Sequence, residues 1–140
     1  MTTVAERIES FKAGIIAGGM AAGTEGTIQL VQSLSSVNGL AAGALDMGYW
    51  VGVAIAAFSG FLFGVTCRYA IRKDENPHLS SGVVLAFGLV RGLAQVNGAD
   101  LTVSVMPLVL FAVLESILLF AVAYLGLSIA MRLSWVKPCL

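Results

Sequence analysis

PLVLFAVLESILLFAVAYLGLSIAMRL, residues 107–133, is the stretch that decides the fold. About 20 mostly apolar residues cross the hydrocarbon core of a bilayer as a helix. This run exceeds that length, with Glu115 and the neighbouring Ser116 as its main interruption. Outward along the chain the pattern recurs. Residues 79–96 are shorter and contain Arg91, residues 49–71 are an unambiguous span, and residues 13–34 are glycine-rich and hold Glu25, Gln29 and Gln32. The expected fold is therefore all-α: a polytopic integral membrane protein with four transmembrane helices. Residues 1–12 form a cytoplasmic amphipathic lead, and residues 13–140 form one transmembrane domain.

Composition points the same way. Of 140 residues 58% are hydrophobic and 11% charged, against about 25% charged in soluble domains. So few charges cannot cover the large relative surface of a small water-soluble protein. Net charge is zero with no dense basic patch, which argues against a nucleic-acid partner. Cys67 and Cys139 lack metal-ligand spacing and read as reduced, structural thiols. No short apolar core followed by a small-residue cleavage site is visible near the N-terminus.

The basic residues sort by side. Arg7 and Lys12 precede the first span, Arg68, Arg72 and Lys73 sit at the second turn-around, and Arg132 and Lys137 follow the last span. The connections around Asp46 and Asp100 carry no lysine or arginine. Both termini are therefore expected on the cytoplasmic side. Within residues 2–11, Thr3 and Glu6 have capping-box spacing, and Val4, Ile8 and Phe11 share a helical face. The segment either lies along the membrane surface or leads as a helix into the first span. His78, after Asn76-Pro77, reads as a solvated loop histidine. Val37-Asn38-Gly39 and Val96-Asn97-Gly98 echo each other faintly, in a pattern that either duplication of a hairpin or convergence on a turn produces.

In lipid, helices associate through small residues that let backbones approach. Gly14 and Gly18, Gly19 and Gly23, Gly60 and Gly64, and Gly88 and Gly92 all have four-residue spacing, whereas the fourth span holds only Gly126. The first three spans are expected to pack tightly, with the fourth facing outward.

Glu25, Arg91 and Glu115 are the most informative residues. A charge at mid-membrane costs on the order of 2.5–3.5 kcal/mol on insertion scales. At about 1.5 Å rise per residue, Arg91 lies roughly 9 Å below the outer end of its span and the two glutamates roughly 13–15 Å. All three fall in the outer half. Arg91 is expected to pair with Glu115, Glu25 or both, with Gln29, Gln32 and Gln95 satisfying the remaining polar atoms. Such a cluster either fixes helix order and register or, with two acids sharing one arginine, provides a proton or cation site.

Glu25-Gly26-Thr27 is similar in outline to the first span of small multidrug-resistance transporters, but the aromatic lining is missing and Arg91 and Glu115 lie outside that pattern. Gly64 followed by Arg68-Tyr69 resembles fluoride channels, whose asparagine and Thr-Thr-Phe-Ser runs are absent. We read both as coincidence. The stretch from Arg68-Tyr69 through Arg72, Asp74 and Asn76-Pro77 to Ala86-Phe87-Gly88-Leu89-Val90-Arg91-Gly92 resembles small four-helix membrane proteins of cyanobacteria and plastids. That resemblance covers the second and third spans and their loop. It implies a thylakoid or plasma membrane and brings no activity.

No nucleophile–base pair, phosphate-binding loop or metal cluster is visible, so neither enzyme chemistry nor a cofactor or metal is expected. The leading expectation is an accessory or assembly subunit acting through helix packing, with other membrane proteins or copies of itself as partners. The competing expectation is a small oligomeric proton- or cation-coupled transporter or channel using an intramembrane glutamate. A wet glutamate cavity favours transport, and a dry, paired cluster favours structure.

Overall fold

The computed structural model describes residues 4–35, 47–71, 76–95 and 103–137. Its order is α1 (Val4–Ser35), α2 (Met47–Ile71), α3 (Pro77–Ala94), a 3-10 turn (Val103–Val105) and α4 (Met106–Arg132). Among the described residues the elements are all helical. Two of the helical stretches, Met47–Ala70 and Val103–Arg132, are long and apolar enough to cross a membrane. α1 is diluted by glycine, Lys12, Glu25 and two glutamines, and α3 has only 18 residues with Arg91 near its end.

α1 runs unbroken from Val4, so the N-terminal segment and the first apolar run form one continuous helix. Val4, Ile8 and Phe11 all stay exposed, and Phe11 makes an edge contact with Phe61 at 5.5 Å between ring centres. α3 starts before the expected residue 79. The Asn76 side chain accepts from the His78 backbone N–H at 3.1 Å, and Pro77 occupies the first turn, where its missing N–H costs nothing. His78 is thus a first-turn helical residue rather than a loop residue. Thr3, Cys139, both Val-Asn-Gly echoes, Arg72 and Lys73 lie outside the described residues.

The helices run up, down, up, down and pair as two hairpins, α1 with α2 and α3 with α4, with α4 also lying along α1. The expected grouping of the first three spans is therefore incorrect: α3 packs mainly on α4, and among the described residues its backbone makes no close approach to α1. Glycine placement is the cause. In the first hairpin Gly60 sits against Gly18, Ala17 and Ala21, and Gly64 against Ala13 and Ala17; a Cβ at Gly64 would lie 2.5 Å from the Ala13 carbonyl oxygen. Gly14 and Gly18 complete the interlock against Phe61 and Ala57. In the second, Gly88 and Gly92 receive Ile117 and Val113 of α4. Gly19 and Gly23, expected at a helix contact, face open space. At about 100° per residue, Gly19 is turned away from the α2-facing Gly18.

Between the hairpins, Phe63, Phe87 and Phe120 meet with ring centres 5.2–5.6 Å apart, joining α2, α3 and α4. Such aromatic pairs contribute about 0.5–1.5 kcal/mol each beyond area burial. Leu119, Ala123 and Leu127 extend this core along α4, so that helix supplies interior as well as exterior side chains. Large apolar side chains such as Ile15, Phe58, Val90, Leu110 and Leu125 stay exposed on all four helices. An exterior this apolar is foreign to a water-soluble monomer.

Candidate functional site: two buried arginines and a polar cleft

At the end of the bundle away from the termini, Arg91 of α3 reaches across the gap to α1. Its Nη2 lies 3.0 Å from Glu25 Oε2, with the two side chains 10% and 6% exposed. The other Glu25 oxygen accepts from Gln29 Nε2 at 2.7 Å, one helical turn on. Both oxygens of Glu25 are thus engaged. Arg91 Nη1 also approaches Ser116 Oγ on α4 at 3.4 Å, while its buried Nε has no hydrogen-bond partner. One arginine side chain therefore links α3 to α1, two helices whose backbones make no close approach among the described residues.

Glu115 is treated differently. It accepts one hydrogen bond, from Gln32 Nε2 of α1 at 3.2 Å, and is half-buried. No lysine or arginine lies within 4 Å of it among the described residues. Depth alone could not separate the two glutamates; the register of α3 against α1 does. Gln95, one turn beyond Arg91, is exposed. Glu25, Gln29, Gln32, Arg91, Gln95 and Glu115 all line one cleft of about 1300 Å³, whose other walls include Ile55, Leu108 and Phe111. The charged residues of that lining are two acids and one base.

The opposite end holds a second buried arginine, to which the sequence assigned sidedness but no site role. Arg68 of α2 is 2% exposed. Its Nε donates to the Lys137 carbonyl at 3.0 Å, and its Nη1 donates to the Glu6 carbonyl at 3.0 Å and to Ser10 Oγ. Arg68 thereby ties α2 to the start of α1 and to the segment after α4. That segment is aimed by Ser134, whose φ of 60° places it in the left-handed region. The Trp135 N–H returns to the Ala130 carbonyl at 3.0 Å and the Ser134 N–H to Met131 at 3.1 Å, closing α4 as a Schellman motif. Val136 is buried as a result. Glu9 completes the knot by accepting the Lys137 backbone N–H at 3.1 Å and the Lys12 ammonium at 2.9 Å. Those two bonds, the Lys12 one foremost, hold its carboxyl below the usual range.

The only sequence signal for this knot was an arginine placed four residues inside the end of an apolar run, one turn short of the loop. Its acceptors are largely main-chain atoms, which no residue pattern announces. Comparison with protein-family models, with curated proteins and with solved structures finds no match for this chain.

Proposed function

We propose that the chain is an integral membrane protein of plasma or thylakoid membranes that crosses the bilayer four times with both termini cytoplasmic. In this reading it works as an accessory or assembly subunit, without catalysis, through helix packing with a larger membrane complex or with copies of itself. The observation that carries the reading is the Glu25–Arg91 pair, with both carboxylate oxygens engaged and both side chains nearly dry. A buried pair of that kind specifies which helices meet and in what register.

The apolar exterior and the aromatic residues at the helix ends support the membrane reading. Tyr49 and Trp50 open α2 at one end, and the exposed Trp135 follows α4 at the other, the positions where amphipathic rings favour the membrane–water boundary. α3, about 27 Å long at 1.5 Å per residue, spans a core of about 30 Å when its flanking residues and local thinning take up the mismatch.

The test is purification of the tagged protein in mild detergent, with mass measurement of what travels with it. Recovery in a larger complex of fixed stoichiometry is the expected result. Recovery as a pure homo-oligomer that carries cation or proton flux when reconstituted would replace this reading with transport. The cleft around Glu115 is the observation that favours that second reading.

A further inference from the structure

We propose that the cleft between the two hairpins is a binding site for a monovalent organic cation, an ammonium group on an apolar body, with Glu115 as its counter-ion. The proposal rests on the membrane location proposed above, and it stands or falls separately from the accessory role.

Charge sets the sign of the ligand. Arg91 is already committed to Glu25 at 3.0 Å, and Gln29 occupies the second Glu25 oxygen. Glu115 therefore stands as the surplus negative charge of the lining, held by a single neutral amide. A carboxylate in a low-dielectric surrounding is costly without a partner, so a bound cation is favoured there and an anion is not.

The donor set fixes the kind of cation. Hard divalent ions take six or more oxygens, usually from several carboxylates, whereas this cleft has one uncommitted carboxylate. Groups of three or more potential metal ligands are absent among the described residues. An ammonium needs only a carboxylate and a few neutral acceptors, and the side chains of Gln32 and Gln95 are at hand. Apart from Ser33, the remaining wall is apolar. Ile55 and Leu108 flank it, and Phe111 adds an aromatic ring, a group that attracts cations, to the lining. At about 1300 Å³ the cleft exceeds what a bare inorganic ion would fill. A free amine and a lipid bearing an ammonium headgroup share the required chemistry.

The experiment is calorimetric titration of the purified full chain in dodecyl maltoside micelles, which contain no ammonium, with benzylammonium and with neutral benzyl alcohol. The amine is expected to bind at least tenfold tighter than the alcohol, with Glu115→Gln abolishing the preference and Glu115→Asp retaining it. Gln95→Ala, at an exposed site, checks the neutral acceptors and should weaken the amine several-fold while leaving the fold intact by circular dichroism. Repeating the titration in phosphatidylethanolamine nanodiscs separates the sources. Undiminished binding identifies a free amine as the ligand, and Glu115-dependent suppression identifies the lipid ammonium. Equal binding of amine and alcohol in micelles would overturn the proposal. So would an amine preference that survives Glu115→Gln, or a Glu115 that reacts with a carbodiimide as a neutral acid without binding the amine.

Discussion

The two buried arginines of this molecule are solved in opposite ways. Arg68, at the end that carries the termini, gives its protons to the carbonyls of Glu6 and Lys137 and to Ser10 Oγ. Three chain segments are tied there by fixed dipoles, and the residues around it close over it. Arg91, at the other end, faces a carboxylate across a gap, keeps an unpartnered Nε, and borders an open cleft. A guanidinium held by main-chain carbonyls cannot lose its partners unless the backbone moves. One held by side chains, here the Glu25 carboxylate and at longer range Ser116 Oγ, can lose them without any backbone movement. The first arrangement anchors; the second links two hairpins and leaves room beside the link.

The largest effect is expected from breaking the second arrangement. Arg91→Leu strands Glu25, and Glu25→Leu strands Arg91, so each should cost about 3–5 kcal/mol, the usual consequence of leaving a buried charge unpaired. The double substitution should recover most of that loss. Denaturant titration in mixed micelles measures all three. Near-additive losses would mean that the two residues do not interact. A smaller effect is expected at the anchor, where Arg68→Leu removes hydrogen bonds from acceptors near the chain ends that water can partly re-satisfy, at about 1–3 kcal/mol. Arg68→Lys should restore only part of it, because a single ammonium cannot serve carbonyls on two segments with the planar fork of arginine. Full rescue by lysine would show that charge alone matters there.

The smallest effect concerns Glu9. Its carboxyl is held below the ordinary value of 4.5 in the folded chain. A depressed folded value means that its stabilising contribution is fully present above 4.5 and is lost as pH falls through the folded value. Glu9→Gln should therefore lower the neutral plateau slightly and flatten the acid limb of the stability profile below 4.5, the two profiles converging at low pH. An unchanged acid limb would remove Glu9 from the knot.

Much of this was legible in the sequence, for physical reasons that also explain what was missed. α2 and α4 announce themselves because length and apolarity are properties of a single segment. Glu25, Arg91 and Glu115 stand out because ionised groups are rare in such runs. The choice between the two glutamates was not legible, since it depends on how α3 is registered against α1, a relation between segments. Glycine spacing shows the same limit. Four-residue repeats mark faces that permit close packing, but they do not say which face meets a neighbour, so Gly14 and Gly18 are used while Gly19 and Gly23 are open. The Phe63–Phe87–Phe120 cluster has one ring from each of three helices and no signature within any one of them.

The claim beneath all of this is that the chain is threaded through lipid four times, with the anchored end in the cytoplasm and the cleft end on the far side. Cysteine accessibility measures it directly. With Cys139 replaced by serine and the native Cys67 buried, single variants Asp46→Cys, Lys73→Cys, Asp100→Cys and Lys137→Cys can be exposed to an impermeant maleimide in sealed vesicles of known orientation. Asp46→Cys and Asp100→Cys are expected to react from one side and Lys73→Cys and Lys137→Cys from the other. Labelling of Asp46→Cys and Lys73→Cys from the same side would contradict that threading.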